Sequence, residues 1–245
     1  MVITPSARVW RFLRGDGSLT LSVVLLALFL FALYPMLEVD AIPPWWLDGA
    51  FAGFLVAGGF FVFEPRPIVR TFVLLVAPTL ATRVAGYQMH SRAVEAIEAM
   101  LIMATAATFA MLLITRVLRD GRINVHRIIG ACGTFLLLGL LFAEAFRLIA
   151  MFVPNAYAIG GTPASAATLQ NRFVYFSFIT LTSTGYGDIT PIHPYTRSLA
   201  AFEALTGQLY LAVLIARLVG LEIVWRESVR EARETGASPG RPPPS

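Results

Sequence analysis

The chain has no lysine and a single cysteine, and charge of either sign is scarce. Of its 245 residues, 57% are hydrophobic and only 14% charged, where a soluble domain of this size carries about a quarter. With a positive mean hydropathy, that shortage excludes an ordinary soluble fold and points to several membrane spans. The lone Cys132 leaves no disulfide framework or cysteine metal site within one chain, and its apolar setting reads as a small core residue. The net charge of +4 rests wholly on arginine. These arginines are distributed by connection and not gathered into a patch, so nucleic acid is a poor partner. His90, Glu95, Glu98, His126 and Glu144 fall in no metal-ligand spacing such as His-Glu-x-x-His, and Ser183 has no adjacent base in the sequence. That sets aside an intramembrane enzyme, and no cofactor motif is visible.

Apolar stretches predict six helical spans, each near the roughly 20 residues a hydrocarbon core requires. They cover residues 19–37, 47–63, 68–87, 92–117, 125–153 and 195–225. Arg8, Arg11 and Arg14 precede the first, but no small-residue cleavage site follows Tyr34, Pro35 and Met36, so this span reads as uncleaved. The connection after it joins Glu38 and Asp40 to Trp45 and Trp46, as an acidic loop with an aromatic belt does. Pro78 and Arg83 make the third span a candidate for a kinked or re-entrant segment. Glu95 and Glu98 read as solvating the outer end of the fourth, and Glu144 and Arg147, three apart, pair on one face of the fifth.

With the amino terminus inside, 14 of the 19 arginines fall on the inner side, which places both termini in the cytoplasm of a multi-pass plasma membrane protein. Residues 1–18 form a cytoplasmic segment, 19–117 a four-span peripheral domain, 123–225 a unit of the last two spans with the segment between them, and 226–245 a tail. The tail alternates acids with Arg226, Arg230 and Arg233 as a solvated helix, then ends in a disordered Pro-rich stretch too short for a ligand-binding domain. The fourth span has no basic residue between Arg92 and Arg116, whereas a voltage sensor needs one at every third position.

Thr180 to Pro191 reads Thr-Leu-Thr-Ser-Thr-Gly-Tyr-Gly-Asp-Ile-Thr-Pro. A plain glycine turn between two helices would use the same glycines. The match runs further, because a short aromatic segment, 170–182, with Phe173, Tyr175, Phe176 and Phe178, precedes it and a long apolar span follows. This arrangement resembles the bacterial potassium channel family, with its single-pore, tetrameric architecture and Gly-Tyr-Gly filter.

The resemblance implies an all-α integral membrane protein of six transmembrane helices plus a re-entrant pore helix and filter loop, assembled as a homotetramer. Ser183, Thr184, Gly185, Tyr186 and Gly187 would form the filter, with Asp188 at the outer mouth, K⁺ as the permeant ligand, no other metal and no cofactor. The Tyr186 ring would pack outward into the wall. The family pattern is Thr-Val-Gly-Tyr-Gly, so Ser183 keeps the hydroxyl while Thr184 brings an extra one that needs a partner. Ile179 stands where some family filters carry a glutamate that pairs with the aspartate.

Gly207 lies where the family carries a hinge glycine, and close helix packing is the other reason for a glycine there. Gln208, Leu211, Ile215 and Val219 recur at helical spacing, as pore-lining residues or as a packing stripe. Glu203, within the membrane, either braces the filter through the pore helix or is buried protonated with a hydrogen bond. His193 would be a solvated turn residue or a pH-sensitive one at the outer mouth. The partners implied are three further copies, the bilayer and K⁺. The alternative function is the membrane subunit of a potassium transporter, which usually carries four filter repeats in one chain where this one has a single copy.

Overall fold

The computed structural model describes residues 17–33, 35–36, 67–89, 91–118, 125–169 and 172–234. The expected second span at 47–63, the tail beyond 234 and His90 lie outside the described residues. Helix α1, Gly17–Leu28, continues into a π-helical turn, Phe29–Leu33. Then come α2, Pro67–Met89, α3, Arg92–Val117, and α4, Val125–Phe152. Beyond α4 lie β1, Tyr157–Ile159, β2, Thr162–Ala164, and the single turn α5, Ala166–Leu169. The chain closes with α6, Phe173–Leu181, β3, Ile189–Pro191, and the 41-residue α7, Pro194–Glu234.

Among the described residues, three stretches are long and apolar enough to cross a bilayer: Arg92–Thr115, Arg127–Phe152 and Pro194–Glu227. Thr20–Leu33 is a shorter apolar helical stretch. The third expected span lies in α2, which is helical from Pro67 to Met89 with Pro78 inside it. A proline removes one helix hydrogen bond, and hydroxyls cluster around the weak point: Thr79 donates to the Leu75 carbonyl at 2.7 Å and Thr82 to that of Pro78 at 3.0 Å.

Helices α2 and α3 are joined by polar as well as apolar contacts. Phe72 meets Phe109 with ring centroids 5.1 Å apart, and the Thr79 and Thr105 hydroxyls lie at 3.1 Å. Glu98 does not solvate the end of α3 as its position suggested. Only 8% exposed, it accepts from Arg83 Nη1 at 2.9 Å. Carrying two charges into a bundle is costly unless they meet, so the arginine of one helix selects the glutamate of the next. Helix α1 packs on α4, where a Cβ on Gly133 would collide with Val23. Cys132, expected in the core, is exposed on α4.

The chain is mostly helical as expected, but the connection after α4 is not all loop and helix. Here β1 pairs antiparallel with both β2 and β3, giving the order β2-β1-β3. Gly160 and Gly161, at φ +55° and +84°, make the two-residue turn between β1 and β2, a conformation that glycine adopts without strain. The register places Ala158 opposite Thr190 and Ile159 opposite Ile189. Beneath the sheet, Tyr157 anchors an aromatic cluster with Phe146, Phe173 and Phe176. Its hydroxyl donates to the Phe146 carbonyl at 3.1 Å. Burial pushes this phenol well above its ordinary range, so it remains a donor.

Candidate functional site

The site grows from the carboxyl end of α6. This nine-residue helix buries Phe173, Val174, Phe176, Ser177, Ile179 and Leu181 against its neighbours. It ends where the Ile179 carbonyl accepts two amides, from Thr184 at 2.8 Å and Gly185 at 3.0 Å. Those bonds stop the helix and turn the chain into an irregular stretch over 184–186.

Along that stretch the backbone alternates in hand. Ser183, Gly185 and Gly187 have φ of +57°, +54° and +81°, while Thr184 and Tyr186 between them are not left-handed. In an ordinary strand successive carbonyls point to opposite sides. Alternation of left- and right-handed residues turns them toward one side, which is the geometry a row of cation-binding oxygens needs. The two glycines adopt it freely, whereas Ser183 bears the strain of a side chain in the left-handed region. Gln208 Nε2 from α7 donates to Ser183 Oγ at 3.1 Å. The extra hydroxyl of Thr184 finds its partner in Thr182, 2.9 Å away.

The far end of the stretch is held by the sheet. Gly160 N–H donates to the Asp188 carbonyl at 3.0 Å, and β3 follows immediately in pairing with β1. The Ala156 carbonyl then accepts from Ile192 N–H, His193 N–H and the Thr196 hydroxyl. His193 Nδ1 accepts from Tyr195 N–H at 3.3 Å. This hairpin is not part of the six-span reading of the sequence. The signal was there, in a Gly-Gly pair flanked by Tyr-Ala-Ile and Thr-Pro-Ala.

Helix α7 passes behind the site unbroken through Gly207. A Cβ at Gly207 would collide with the Leu181 carbonyl oxygen, so glycine here lets α7 touch the end of α6. One turn earlier, Glu203 has no exposure at all. Its Oε1 lies 2.5 Å from Ser177 Oγ, which is also 2.7 Å from the Gly139 carbonyl of α4. Neither Ser177 nor Gly139 stood out in the sequence, because their contact joins residues 38 apart. Tyr210 adds a second tie, donating to the Ala131 carbonyl at 2.7 Å.

Gln208, Leu211, Ile215 and Val219 are exposed on α7 within one chain. So are Phe202, Leu205, Leu209 and Val213 on its other faces; exposure alone does not single out one stripe. The Tyr186 ring is 73% exposed, so the wall it was expected to meet is not built from its own chain. Glu144 and Arg147 pair as their spacing requires, at 2.7 Å. Among the described residues no cluster of histidine, cysteine and carboxylate side chains has the makings of a metal site.

Residues 134–221, from α4 through most of α7, match the family model described as ion channel. No curated protein and no solved structure gives a significant match to the chain. The matched region takes in α6, the alternating stretch and the part of α7 that backs them, which supports passive ion conduction by a membrane protein.

Proposed function

We propose that the chain is one subunit of a homotetrameric channel that conducts K⁺ passively and selectively across a bacterial-type plasma membrane. The observation that carries this reading is the alternation of left-handed φ at Ser183, Gly185 and Gly187 within Ser-Thr-Gly-Tyr-Gly. One chain supplies one such strand, and a dehydrated cation needs oxygens all round it, so four strands about a common axis complete the site. The carboxyl end of α6 ends at the start of the strand, where its negative dipole end favours a cation. Asp188 lies at the outer mouth, Ser183 closes the inner end, and the aliphatic side chains of Leu211, Ile215 and Val219 narrow the path below by dewetting.

The arginine distribution orients both termini to the cytoplasm, which turns the strand's outer end and the β-sheet away from it. The absence of basic residues between Arg92 and Arg116 argues for weak voltage dependence. Reconstitution in planar bilayers with K⁺ on one side and Na⁺ on the other tests the proposal. The reversal potential should sit near the K⁺ equilibrium value, with a conductance that is nearly flat in voltage. Equal permeability to the two ions would overturn the selectivity assignment, and a steep conductance-voltage curve the assignment of weak voltage dependence.

A further inference from the structure

Main-chain coordination of an ion makes no use of Glu203, yet this carboxyl sits fully buried where α4, α6 and α7 meet. Ser177 Oγ stands between two oxygens, Glu203 Oε1 at 2.5 Å and the Gly139 carbonyl at 2.7 Å. A hydroxyl carries one proton, and a carbonyl and an ionised carboxylate are both acceptors only. With Glu203 ionised, one of the two short contacts would therefore have lone pairs facing each other with no proton between them. A short O···O distance is also what an ionised acceptor produces, so distance alone does not decide the matter. The proton count does. A proton on Glu203 fills both contacts: the carboxyl O–H donates to Ser177 Oγ, and Ser177 donates to the Gly139 carbonyl.

Two further features fit the neutral form. Glu203 Oε2 is buried with no hydrogen-bond partner, which the carbonyl oxygen of an acid tolerates far better than half of an anion. Tyr157, the nearby titratable side chain of β1, is itself kept neutral by burial and donates elsewhere, to Phe146. Gly139 makes the chain possible. The Phe178 ring occupies the space of its missing side chain, 2.6 Å from where a Cβ would stand, and this close approach brings Ser177 onto the α4 carbonyl.

We propose that Glu203 is a positioning residue that works as a neutral proton donor. It heads a chain from Glu203 to Ser177 to Gly139 that fixes α6, and the strand it feeds, to α7 and α4. Its consequence for conduction rests on the filter reading above; the protonated carboxyl does not.

Infrared spectroscopy of the reconstituted full-length protein at neutral pH tests the protonation directly. A protonated-carboxyl carbonyl band should be present, be lost in Glu203→Gln and move to higher frequency in Ser177→Ala, which removes the acceptor. K⁺ flux into vesicles tests the role. Glu203→Gln keeps a neutral N–H donor and should retain flux within about twofold, while Glu203→Leu, which has none, should lower it by roughly tenfold or more. The proposal is overturned if the Glu203-dependent band is absent, if it is unmoved by Ser177→Ala, or if Glu203→Gln is as impaired as Glu203→Leu. A wild-type protein that passes Na⁺ and K⁺ alike would overturn the filter reading, and the infrared comparison would still decide this one.

Discussion

At Gly185 and Gly187 nothing lies within 4 Å of where a Cβ would stand, so it is the backbone and not space that demands glycine. Their φ of +54° and +81° costs an L-residue about 1–2 kcal/mol at each position. Alanine at either is expected to turn its peptide toward the right-handed region and swing a carbonyl off the common side. Gly185→Ala and Gly187→Ala should therefore assemble but lose K⁺ selectivity, read as a reversal potential drawn toward zero under opposed K⁺ and Na⁺; unchanged selectivity in both would reject the carbonyl-row account. Ser183 holds the same hand without glycine's freedom, and the 3.1 Å bond from Gln208 reaches the hydroxyl at that strained residue. Removing it in Gln208→Leu should change internal Ba²⁺ block by roughly 2- to 12-fold, the range of one net hydrogen bond, while the reversal potential stays put. Block that does not change would show that the amide is a bystander. The glycine pattern was legible in the sequence because left-handed tolerance belongs to the residue itself. The Glu203, Ser177 and Gly139 chain was not, because a serine inside an aromatic run carries no mark of which distant carbonyl it will meet.

Among the elements, α6 and α7 form the contact on which the site depends, and Gly207 is its closest point. The Leu181 carbonyl occupies the place of a side chain there, whereas Gly220, further along the same helix, has nothing within 4 Å. Gly207→Ala should push α7 off the end of α6 and destabilise the assembly by about 1–3 kcal/mol. Gly220→Ala should be neutral or stabilising by up to about 1 kcal/mol, since alanine is the better helix former. A thermal melt of the two variants side by side checks this, and equal melting temperatures would remove the packing explanation for Gly207. Of the six expected spans, those at α3, α4 and α7 stand among the described residues as helices long and apolar enough to cross a bilayer, and α3 begins and ends where its apolar run does, at Arg92 and Val117. Pro78 is accommodated inside α2, whose next residue, Thr79, ties the helix to Thr105 of α3. The β-sheet escaped because three-residue strands carry too little periodicity, and β3 becomes a strand only by pairing with β1, about 30 residues earlier in the chain.

For the molecule as a whole, the telling quantity is how little of α7 its own chain covers. Of its apolar membrane stretch only 6% is buried, against 50% for that of α3 and 39% for that of α4. Lipid can cover such a surface, but lipid offers no wall for the Tyr186 ring and no further oxygens for an ion on the strand's axis. Further copies of the chain would offer both, with cyclic symmetry fixing how each contributes. A subunit-mixing experiment separates the two cases. Gly185→Ala chains carrying an affinity tag are co-expressed with wild type in equal amounts, and the selective K⁺ flux is measured per wild-type chain. If each chain conducts alone, the flux per wild-type chain is unaffected. If one defective strand spoils a shared axis, only all-wild-type tetramers remain selective, and with random assembly these are about one-sixteenth of the total. Flux per wild-type chain should then fall to about one-eighth, and a value that stays near one would mean that the ion path lies within a single chain.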